Sequence, residues 1–278
     1  MRVSLWDASL AEQTGRPIVA RSCVKIHAAI IDVFLTLPQS IHPPILANFY
    51  RHSRRLAKIC GLFSRYNRRV KISYHRDITN AALASTFSPS ALQVIVRANV
   101  EQDGLRYQFG HDHFHFDSNS FDAAYAYIEE QRVRIADALK RGNADTAWQA
   151  FGKLTHTVQD FYAHSNYIPL WLDSFNGAAP PPPPEVDPVS PQILQSPNLR
   201  SGKLYYPFEA LTFIPRLGKL FIPLMPRDSH AHMNHDGPDD SPLFDYVFQA
   251  AVKRTRYEFG HTITNLSQPL ITLFTNLT

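Results

Sequence analysis

Apolar residues recur with helical spacing along most of the chain after about residue 70, and this spacing predicts a series of helices. Runs that alternate with period two do not recur often enough to form a sheet, and no internal repeat is present. The pattern therefore predicts an all-α protein, an irregular multi-helix bundle with long loops. The predicted helices cover 78–100 with an interruption near Pro89, 121–141, 145–167, and about 243–273 with breaks at Gly260 and Pro269.

Prolines mark the parts of the chain that fall outside this pattern. In residues 1–70 they interrupt short helical stretches, which predicts a helical N-terminal extension before a main domain over residues 71–278. Consecutive prolines at 180–184 lie within residues 174–200, which we predict to form an extended, mobile loop without a function of its own. Residues 201–240 show no regular pattern.

Length and composition indicate a globular protein with one substantial core. The chain has 278 residues, 44% of them hydrophobic, and only two cysteines, too few for a disulfide framework. No apolar run approaches the length of a membrane span. Asp7 and Glu12 break the layout of a secretory signal, so the compartment is left open between the cytoplasm and a leaderless secretion route.

Positive charge is concentrated before the main domain. The formal net charge is +4, yet residues 51–76 contain nine Lys or Arg and no acid. Apolar residues alternate with these cations, which predicts an amphipathic helix suited to an anionic membrane surface. A solvated basic helix packed on the domain is an equal alternative. Contact with a nucleic-acid backbone is less favoured, because no recognised motif accompanies the charge.

His156, Asp160 and His164 recur every four residues within the predicted helix 145–167. Side chains with this spacing lie on one helix face, about 6 Å apart along the axis. Imidazole and carboxylate are zinc ligands, so His156 and Asp160 could share one ion and His164 could reach a second. A single pair of this kind also arises by chance as surface residues.

The remaining histidines make chance a poor explanation. The chain has 13 histidines against two cysteines and three methionines, and many lie in short clusters with acids. Grouping of this kind favours a metal cluster. The clusters contain His75; His111, His113 and His115; and His230, His232 and His235.

The segment Leu154–Asn166 resembles the signature of the HET-C (heterokaryon-incompatibility) family, within the zinc-dependent phospholipase C and single-strand nuclease superfamily. Further segments match in the same order. These are His75–Thr79, Asn99–Asp103 followed by His115–Asp117, and Ser229–Gly237. The superfamily's N-terminal Trp ligand has no counterpart near His75, and the Glu expected four residues after the later histidine is absent.

The resemblance implies a phospholipase C-like helical bundle around a cleft that holds two to three zinc ions. His156 and Asp160 would form one site with Asp103 and His115, while His164 would share a second ion with one of the later histidines. Among these, His230 is preferred to His232 and His235, and His75 would belong to a third site. The implied metal ligands are His75, Asp103, His115, His156, Asp160, His164 and His230.

Such a cluster predicts phosphodiester hydrolysis, because paired cations lower the pKa of a bound water and neutralise charge on the phosphate. We expect a zinc-dependent, phospholipase C-like hydrolase that uses a metal-bound hydroxide and acts on phospholipid. Asp103 or Asp160 would orient the nucleophile, and Gln159 and Asn166 would hold the ligands in position. The alternatives are a zinc nuclease for single-stranded nucleic acid and a non-catalytic, metal-stabilised toxin or incompatibility protein acting at membranes.

Overall fold

A computed structural model of the chain describes residues 73–277, apart from 108–109, 207 and 213–217. The predicted extension at 1–70 and nearly all of the basic stretch at 51–76 lie outside the described residues. Both therefore stay predictions, as does the division into an extension and a main domain.

The described residues form helices joined by turns, which confirms the all-α prediction. Among them only two isolated β-bridges occur, Ser165 with Ser201 and Lys203 with Ser229, and no strand is formed. Single turns of 3-10 helix lie at Leu105–Tyr107, Asp112–Phe114, Asp117–Asn119, Pro183–Glu185 and Ile222–Leu224. The α-helices are α1 (73–83), α2 (Pro89–Glu101), α3 (Phe121–Lys140), α4 (Ala144–His164), α5 (Tyr167–Asp173), α6 (Pro191–Leu194), α7 (Glu209–Thr212), α8 (Gly218–Phe221), α9 (His230–Met233), α10 (Phe244–Ile263) and α11 (Gln268–Thr275).

Helix α4 lies at the centre of the described domain. Helices α2, α3 and α10 pack against it, and every residue from Leu154 to His164 is buried. A helix that is buried on all sides usually carries apolar side chains all round. This one instead buries several polar and charged side chains, each of which needs a partner inside the protein. The centre of the fold is therefore also where the unusual chemistry lies.

Gly152 allows α2 and α4 to approach closely. A Cβ atom at this position would lie 2.3 Å from the carbonyl oxygen of Ile95. The close approach brings the Asn99 amide nitrogen of α2 within 3.0 Å of Thr155 Oγ1 and 3.2 Å of Gln159 Oε1 on α4. The two helices are thus joined by buried hydrogen bonds as well as by apolar packing.

Helix α4 begins and ends where its side chains satisfy the backbone. At its start, the Asn143 side chain accepts a hydrogen bond from the backbone N–H of Thr146. It ends at His164 and not at Tyr167 as predicted, because Ser165 is extended (φ −115°, ψ 166°). Ser165 pairs with Ser201, and α5 then begins at Tyr167.

Residues 174–200 pack against the helices, so the prediction of an extended, mobile loop is wrong. Val186 is fully buried in this segment. The hydroxyls of the buried Tyr162 and Tyr167 donate to the carbonyls of Pro188 and Asp187. Buried tyrosine hydroxyls need acceptors, and this proline-rich segment supplies them.

The C-terminal prediction is confirmed at one of its two breaks. Helix α11 begins at Gln268 with Pro269 in its first turn. The predicted break at Gly260 is wrong, since α10 continues to Ile263. A glycine inside a helix costs only about 1 kcal/mol relative to alanine, and Phe259 and Ile263 on either side pack against the core. No helix in the described part of the chain is both long and apolar enough to cross a bilayer.

Candidate metal centre

Five side chains converge at the middle of α4, and we call them the first cluster: His75, Asp103, His115, His156 and Asp160. Asp160 is their common partner. Its Oδ1 lies 3.0 Å from His75 Nε2, and its Oδ2 lies 2.8 Å from His115 Nδ1 and 3.0 Å from His156 Nε2. Three imidazole nitrogens thus point at one buried carboxylate.

Asp103 approaches two of the same histidines, at longer distances than Asp160. Its Oδ1 lies 3.9 Å from His156 Nε2, and its Oδ2 lies 3.9 Å from His75 Nε2. His156 belongs to two triads, one with His75 and Asp160 and one with Asp103 and His115. In each triad the ligand atoms lie within 4.8 Å of one another. An ion bound here would have histidine and carboxylate ligands on several sides.

Hydrogen bonds outside the cluster orient its histidines. His75 Nδ1 lies 2.8 Å from Gln159 Oε1, which can only accept, so this nitrogen donates. His115 Nε2 likewise faces the carbonyl oxygen of Tyr107 at 3.3 Å. The remaining nitrogens, His75 Nε2 and His115 Nδ1, therefore present lone pairs to the cluster in the neutral ring.

Gln159 is itself held on all sides. Its side-chain nitrogen donates to Thr79 Oγ1 at 3.0 Å and to Thr255 Oγ1 at 3.2 Å, while Asn99 donates to its oxygen. The amide cannot rotate without losing these bonds. The geometry fits the predicted role of Gln159 in orienting a ligand.

Two features of the first cluster fit a bound cation. Asp103 Oδ2 is buried and has no hydrogen-bond partner, and burying an unpaired polar atom is costly. His156 Nε2 and His115 Nδ1 lie only 3.1 Å apart. A shared cation would satisfy the converging lone pairs, and histidine with carboxylate is a donor set that zinc prefers in the absence of cysteine.

The charges inside the first cluster are strongly coupled. Burial lowers the pKa of His75, but the charge of Asp160 and the hydrogen bond to it outweigh this and raise the pKa to about 10. Burial opposes ionisation of Asp160, yet the neighbouring His156 and His75 hold its pKa well below the usual value. For His156, burial prevails and its pKa is lowered. Asp160 is therefore the fixed negative charge around which the histidines are arranged.

A second cluster, Asp117, His164 and His230, lies where α4 ends. His230 Nδ1 is 2.8 Å and His164 Nδ1 is 3.5 Å from Asp117 Oδ1. The three side chains are buried and their ligand atoms lie within 4.8 Å of one another. Asp236 adds a carboxylate oxygen 3.2 Å from His164 Nε2.

The second cluster depends on an irregular backbone. Phe116, Ser118 and Asn119, on either side of Asp117, all have positive φ values of 55–56°. For residues other than glycine this conformation costs on the order of 1–3 kcal/mol each. The backbone N–H of Ser118 donates to the carbonyl of Gly202 at 2.7 Å, which helps to hold it.

Gly202 connects the three parts of the second cluster. Its N–H donates to the carbonyl of His164 at 2.9 Å, and its own carbonyl accepts from Ser118. A Cβ atom at Gly202 would lie 2.6 Å from the Cα atom of His230. Glycine is required here by this close approach and not by its φ angle.

The two clusters are neighbours along α4. His164 follows Asp160 by one helical turn, about 6 Å, and its Nδ1 lies 2.9 Å from the carbonyl oxygen of His115, a residue of the first cluster. Asp117 follows His115 by two residues. The short segment 115–117 therefore contributes a ligand-type side chain to each cluster.

The structure brings together all of the side chains predicted to bind metal, in two groups. His75 lies in the first cluster, so the separate third site expected for it is not formed by these residues. Of the later histidines, His230 joins a cluster. His232 Nε2 faces the carbonyl of Met225 at 3.2 Å, and His235 Nδ1 faces Ser241 Oγ at 2.7 Å.

Sequence reasoning missed Asp117 and Asp236. The signal for Asp117 was its position two residues after His115, within the segment already noted for its histidines. Asn166 does not orient a ligand as predicted. Its side chain donates to the carbonyl of Asn198 and accepts from the N–H of Arg200, and so holds a loop.

The described residues thus form a helical domain with two buried clusters of histidine and aspartate, which are side chains that commonly bind metal ions. A family model described as the VWA7 N-terminal domain matches residues 72–177. The match covers less than half of the chain but spans every residue of the two clusters except His230. Searches of curated proteins and of solved structures give no match.

The resemblance to the HET-C family and to the phospholipase C and nuclease superfamily is wrong, because the family that matches is the VWA7 N-terminal domain. The spacing of His156, Asp160 and His164 follows from helix geometry and from the ligands that a cation prefers. Any helix that supplies ligands to adjacent metal sites can show it. Such spacing is therefore better evidence for metal-ligand chemistry than for membership of a particular family.

Proposed function

We propose that the two clusters bind divalent cations, with zinc as the preferred ion, and that the protein hydrolyses phosphodiesters. One observation carries the proposal: two groups of histidines and aspartates, sharing the segment 115–117, lie one helical turn apart in the buried centre of the fold. When bound, adjacent cations would lower the pKa of a water and neutralise charge that develops on a phosphate. This support comes from the site and not from family membership.

The residues of the first cluster have different roles under this proposal. The Asp160 side chain is 2% exposed and already faces three histidines, so it organises the ligands. Asp103 is 21% exposed at its side chain, the most of the five, and its Oδ2 lacks a hydrogen bond. We assign Asp103 to orient the attacking water and Gln159 to hold His75 in position.

The excess positive charge lies outside the domain that contains the two clusters. The formal net charge of the chain is +4, but residues 73–278 contain 16 Lys or Arg and 21 Asp or Glu, so overall charge does not select an anionic substrate for this domain. Phospholipid head groups and single-stranded nucleic acid share the phosphodiester that the cluster would act on. Phospholipid is our first choice, and the surface described below is the reason.

A second function, a metal-stabilised domain without turnover, is favoured by the burial of the site. His156 and Asp160 are at most 1% exposed. The cavity beside His75 and Gln159 measures only about 20 Å³, enough for a single water. A metal bound entirely by buried ligands often contributes to folding and not to catalysis.

The first measurement is the zinc content of the purified full-length chain, with hydrolysis of the soluble diester bis(4-nitrophenyl) phosphate followed in parallel. We expect at least one zinc per chain and turnover that a chelator removes and added zinc restores. Less than one zinc per chain would contradict the metal cluster. Zinc without turnover, with unfolding on chelation, would favour the structural role.

Asp103→Asn then separates the two roles. It replaces one carboxylate oxygen but keeps the shape of the side chain. We expect turnover to fall by about 100-fold, the scale of positioned acid–base or orienting groups, while zinc at the second cluster is retained. The matched control is Asp122→Asn, an exposed aspartate at the start of α3. Equal turnover in both variants would contradict the role of Asp103.

A further inference from the structure

Three exposed apolar side chains lie in the segment that runs from just before α7 to the turn that precedes α9. Phe208, Leu220 and Leu224 are 59%, 66% and 75% exposed, and among the described residues no other large apolar side chain reaches these values. Isolated exposed apolar residues are ordinary, but three within one short segment indicate a binding surface. We call these three residues the apolar surface.

The turns that carry the apolar surface are packed against each other. Helices α7 and α8 are in contact, and a Cβ atom at Gly218 would lie 2.2 Å from the carbonyl oxygen of Thr212. The buried Glu209 accepts a hydrogen bond of 2.7 Å from the N–H of Ala231 in α9. Helices α7 and α8 are therefore packed together, and Glu209 attaches α7 to the turn of His230.

Cations lie beside the apolar surface. Arg200 and Arg227 are exposed and line one open groove, together with Leu170, Met233 and Asp228, whose carboxylate is ion-paired with Lys203 at 2.8 Å. Arg227 follows Leu224 by only three residues. Residues 199–228 contain five Lys or Arg and two acids, Asp228 and the buried Glu209. The groove thus offers two guanidinium groups next to protruding apolar side chains.

We infer that the apolar surface docks on an anionic phospholipid bilayer. The leucines and Phe208 would enter the boundary between head groups and acyl chains, and the arginines would meet lipid phosphates. Separate protruding apolar side chains with neighbouring cations fit such an interface better than a protein partner, whose contact usually centres on a continuous, well-packed core with few charges. This surface is distinct from the basic stretch at residues 51–76.

The position of the apolar surface relative to the second cluster is relevant to the choice of substrate. Glu209 and Tyr205, at the base of the apolar surface, bond to residues 228–231, which include His230. A docked bilayer would therefore lie near the second cluster. The inference that the protein binds a bilayer does not depend on catalysis. The inference that lipid phosphate is the substrate rests on the proposed function.

Co-sedimentation of the full chain with vesicles tests the inference. We compare vesicles of phosphatidylcholine alone with vesicles that also contain phosphatidylserine. The double substitution Leu220→Ser and Leu224→Ser should weaken partitioning by about tenfold or more, since each buried CH₂ contributes about 0.8 kcal/mol. The matched control, Val133→Ser with Tyr257→Ser, removes exposed apolar side chains elsewhere (55% and 48% exposed) and should change nothing.

The arginines are tested separately. Arg200→Gln and Arg227→Gln should each reduce the preference for phosphatidylserine by roughly fivefold, corresponding to about 1 kcal/mol per cation at the surface. Both tests are repeated with Arg54, Arg55, Arg68 and Arg69 replaced by Gln, so that any contribution of residues 51–76 is removed. Circular dichroism checks that each variant is folded.

Equal vesicle binding by the leucine variant and the wild type would overturn the inference. So would a change of oligomeric state in the leucine variant, because the surface would then be an interface between copies of the chain. Hydrolysis of soluble bis(4-nitrophenyl) phosphate should be the same in all these variants. Failure of that activity in the wild type would contradict the proposed function and leave the vesicle result standing.

Discussion

The two clusters contain similar side chains but are built in different ways. In the first, His75, His156 and Asp160 lie on helices, and a buried amide, Gln159, holds one of the histidines. In the second, only His164 belongs to a long helix. Asp117 lies on a turn with positive φ angles, and His230 lies on a single helical turn. One site is supported by helix packing and the other by backbone hydrogen bonds between loops.

Because the two clusters are supported in different ways, we expect each to lose its metal independently of the other. Side chains on packed helices keep their positions when a metal leaves, because the helices are stabilised by the whole core. A strained turn persists only while its surroundings hold it. We therefore expect the first cluster to be preformed and tight, and the second to depend more on bound metal and on residues 201–203.

The largest effect should come from His156→Ala. His156 belongs to both triads of the first cluster and is fully buried, so its loss should weaken metal binding there by more than the roughly 10–100-fold that follows loss of an orienting partner. Native mass spectrometry should show one metal site lost and the other kept. His230→Ala is the counterpart and should remove only the second site. Loss of all metal in both variants would show that the clusters are one unit.

Two glycines provide the next comparison. Gly152→Ala forces a Cβ against the Ile95 carbonyl and should destabilise the whole domain by about 1–3 kcal/mol, as overpacking does. Gly202→Ala forces a Cβ against His230 and should reduce metal binding at the second cluster with a smaller change in melting temperature. Thermal unfolding and metal content measure both effects.

Gly260→Ala is the control for both glycines, because no atom lies within 4 Å of the added Cβ. It should stabilise α10 by about 0.5–1 kcal/mol. If Gly202→Ala unfolded the domain as strongly as Gly152→Ala, the second cluster would be part of the core and the contrast between the clusters would be wrong.

The helical site was predictable because its signal is local. Three residues at four-residue spacing must share a face wherever a helix forms, so His156, Asp160 and His164 could be expected on one face of a single helix, and all three lie on α4. The helices themselves were predicted within a few residues, since α2, α3 and α4 follow the apolar pattern closely. Where a helix stopped early, at Ser165, the cause was a pairing with Ser201 that no local pattern contains.

The rest of the site could not be predicted from the sequence, because it depends on backbone conformation and on tertiary packing. Asp117 points at His230 because Phe116 and Ser118 take positive φ angles, and neither residue type indicates this conformation. Gly202 looks like an ordinary loop glycine until the distance to His230 is known. His75 was placed in a third site because the family resemblance implied one, whereas tertiary packing brings it within 3.0 Å of Asp160.

A smaller effect is expected from Gln159→Leu. This change removes the acceptor of His75 and one hydrogen bond each from Thr79, Thr255 and Asn99. Zinc affinity at the first cluster should fall by about 10–100-fold, while the second cluster keeps its affinity. Titration against a zinc-chelating dye measures both.

Two further variants make the Gln159 prediction specific. Gln159→Glu keeps an acceptor for His75 and should lose less affinity than Gln159→Leu. Gln149→Leu changes an exposed glutamine on the same helix and should have no effect. Equal losses at both clusters in Gln159→Leu would mean that the variant disturbs the core and not the orientation of His75.

The most graded effect is the pH dependence of metal binding. Without metal, the pKa of His75 is about 10, because Asp160 outweighs the effect of burial. A metal ion must displace this proton at neutral pH, whereas His156, with its lowered pKa, is already neutral. Affinity at the first cluster should therefore rise with pH up to about 10, by about tenfold per pH unit for one displaced proton.

Stability of the metal-free protein should change in the opposite direction. A pKa that is raised in the folded state stabilises fully below the ordinary value of 6.5 and loses this contribution as pH rises to about 10. Rising pH thus weakens the empty first cluster while it strengthens the loaded one. Calorimetry in buffers of different ionisation enthalpy counts the protons released, and denaturation of the metal-free chain follows its stability. His75→Gln should release one proton fewer, and an unchanged count would remove His75 from the metal ligands.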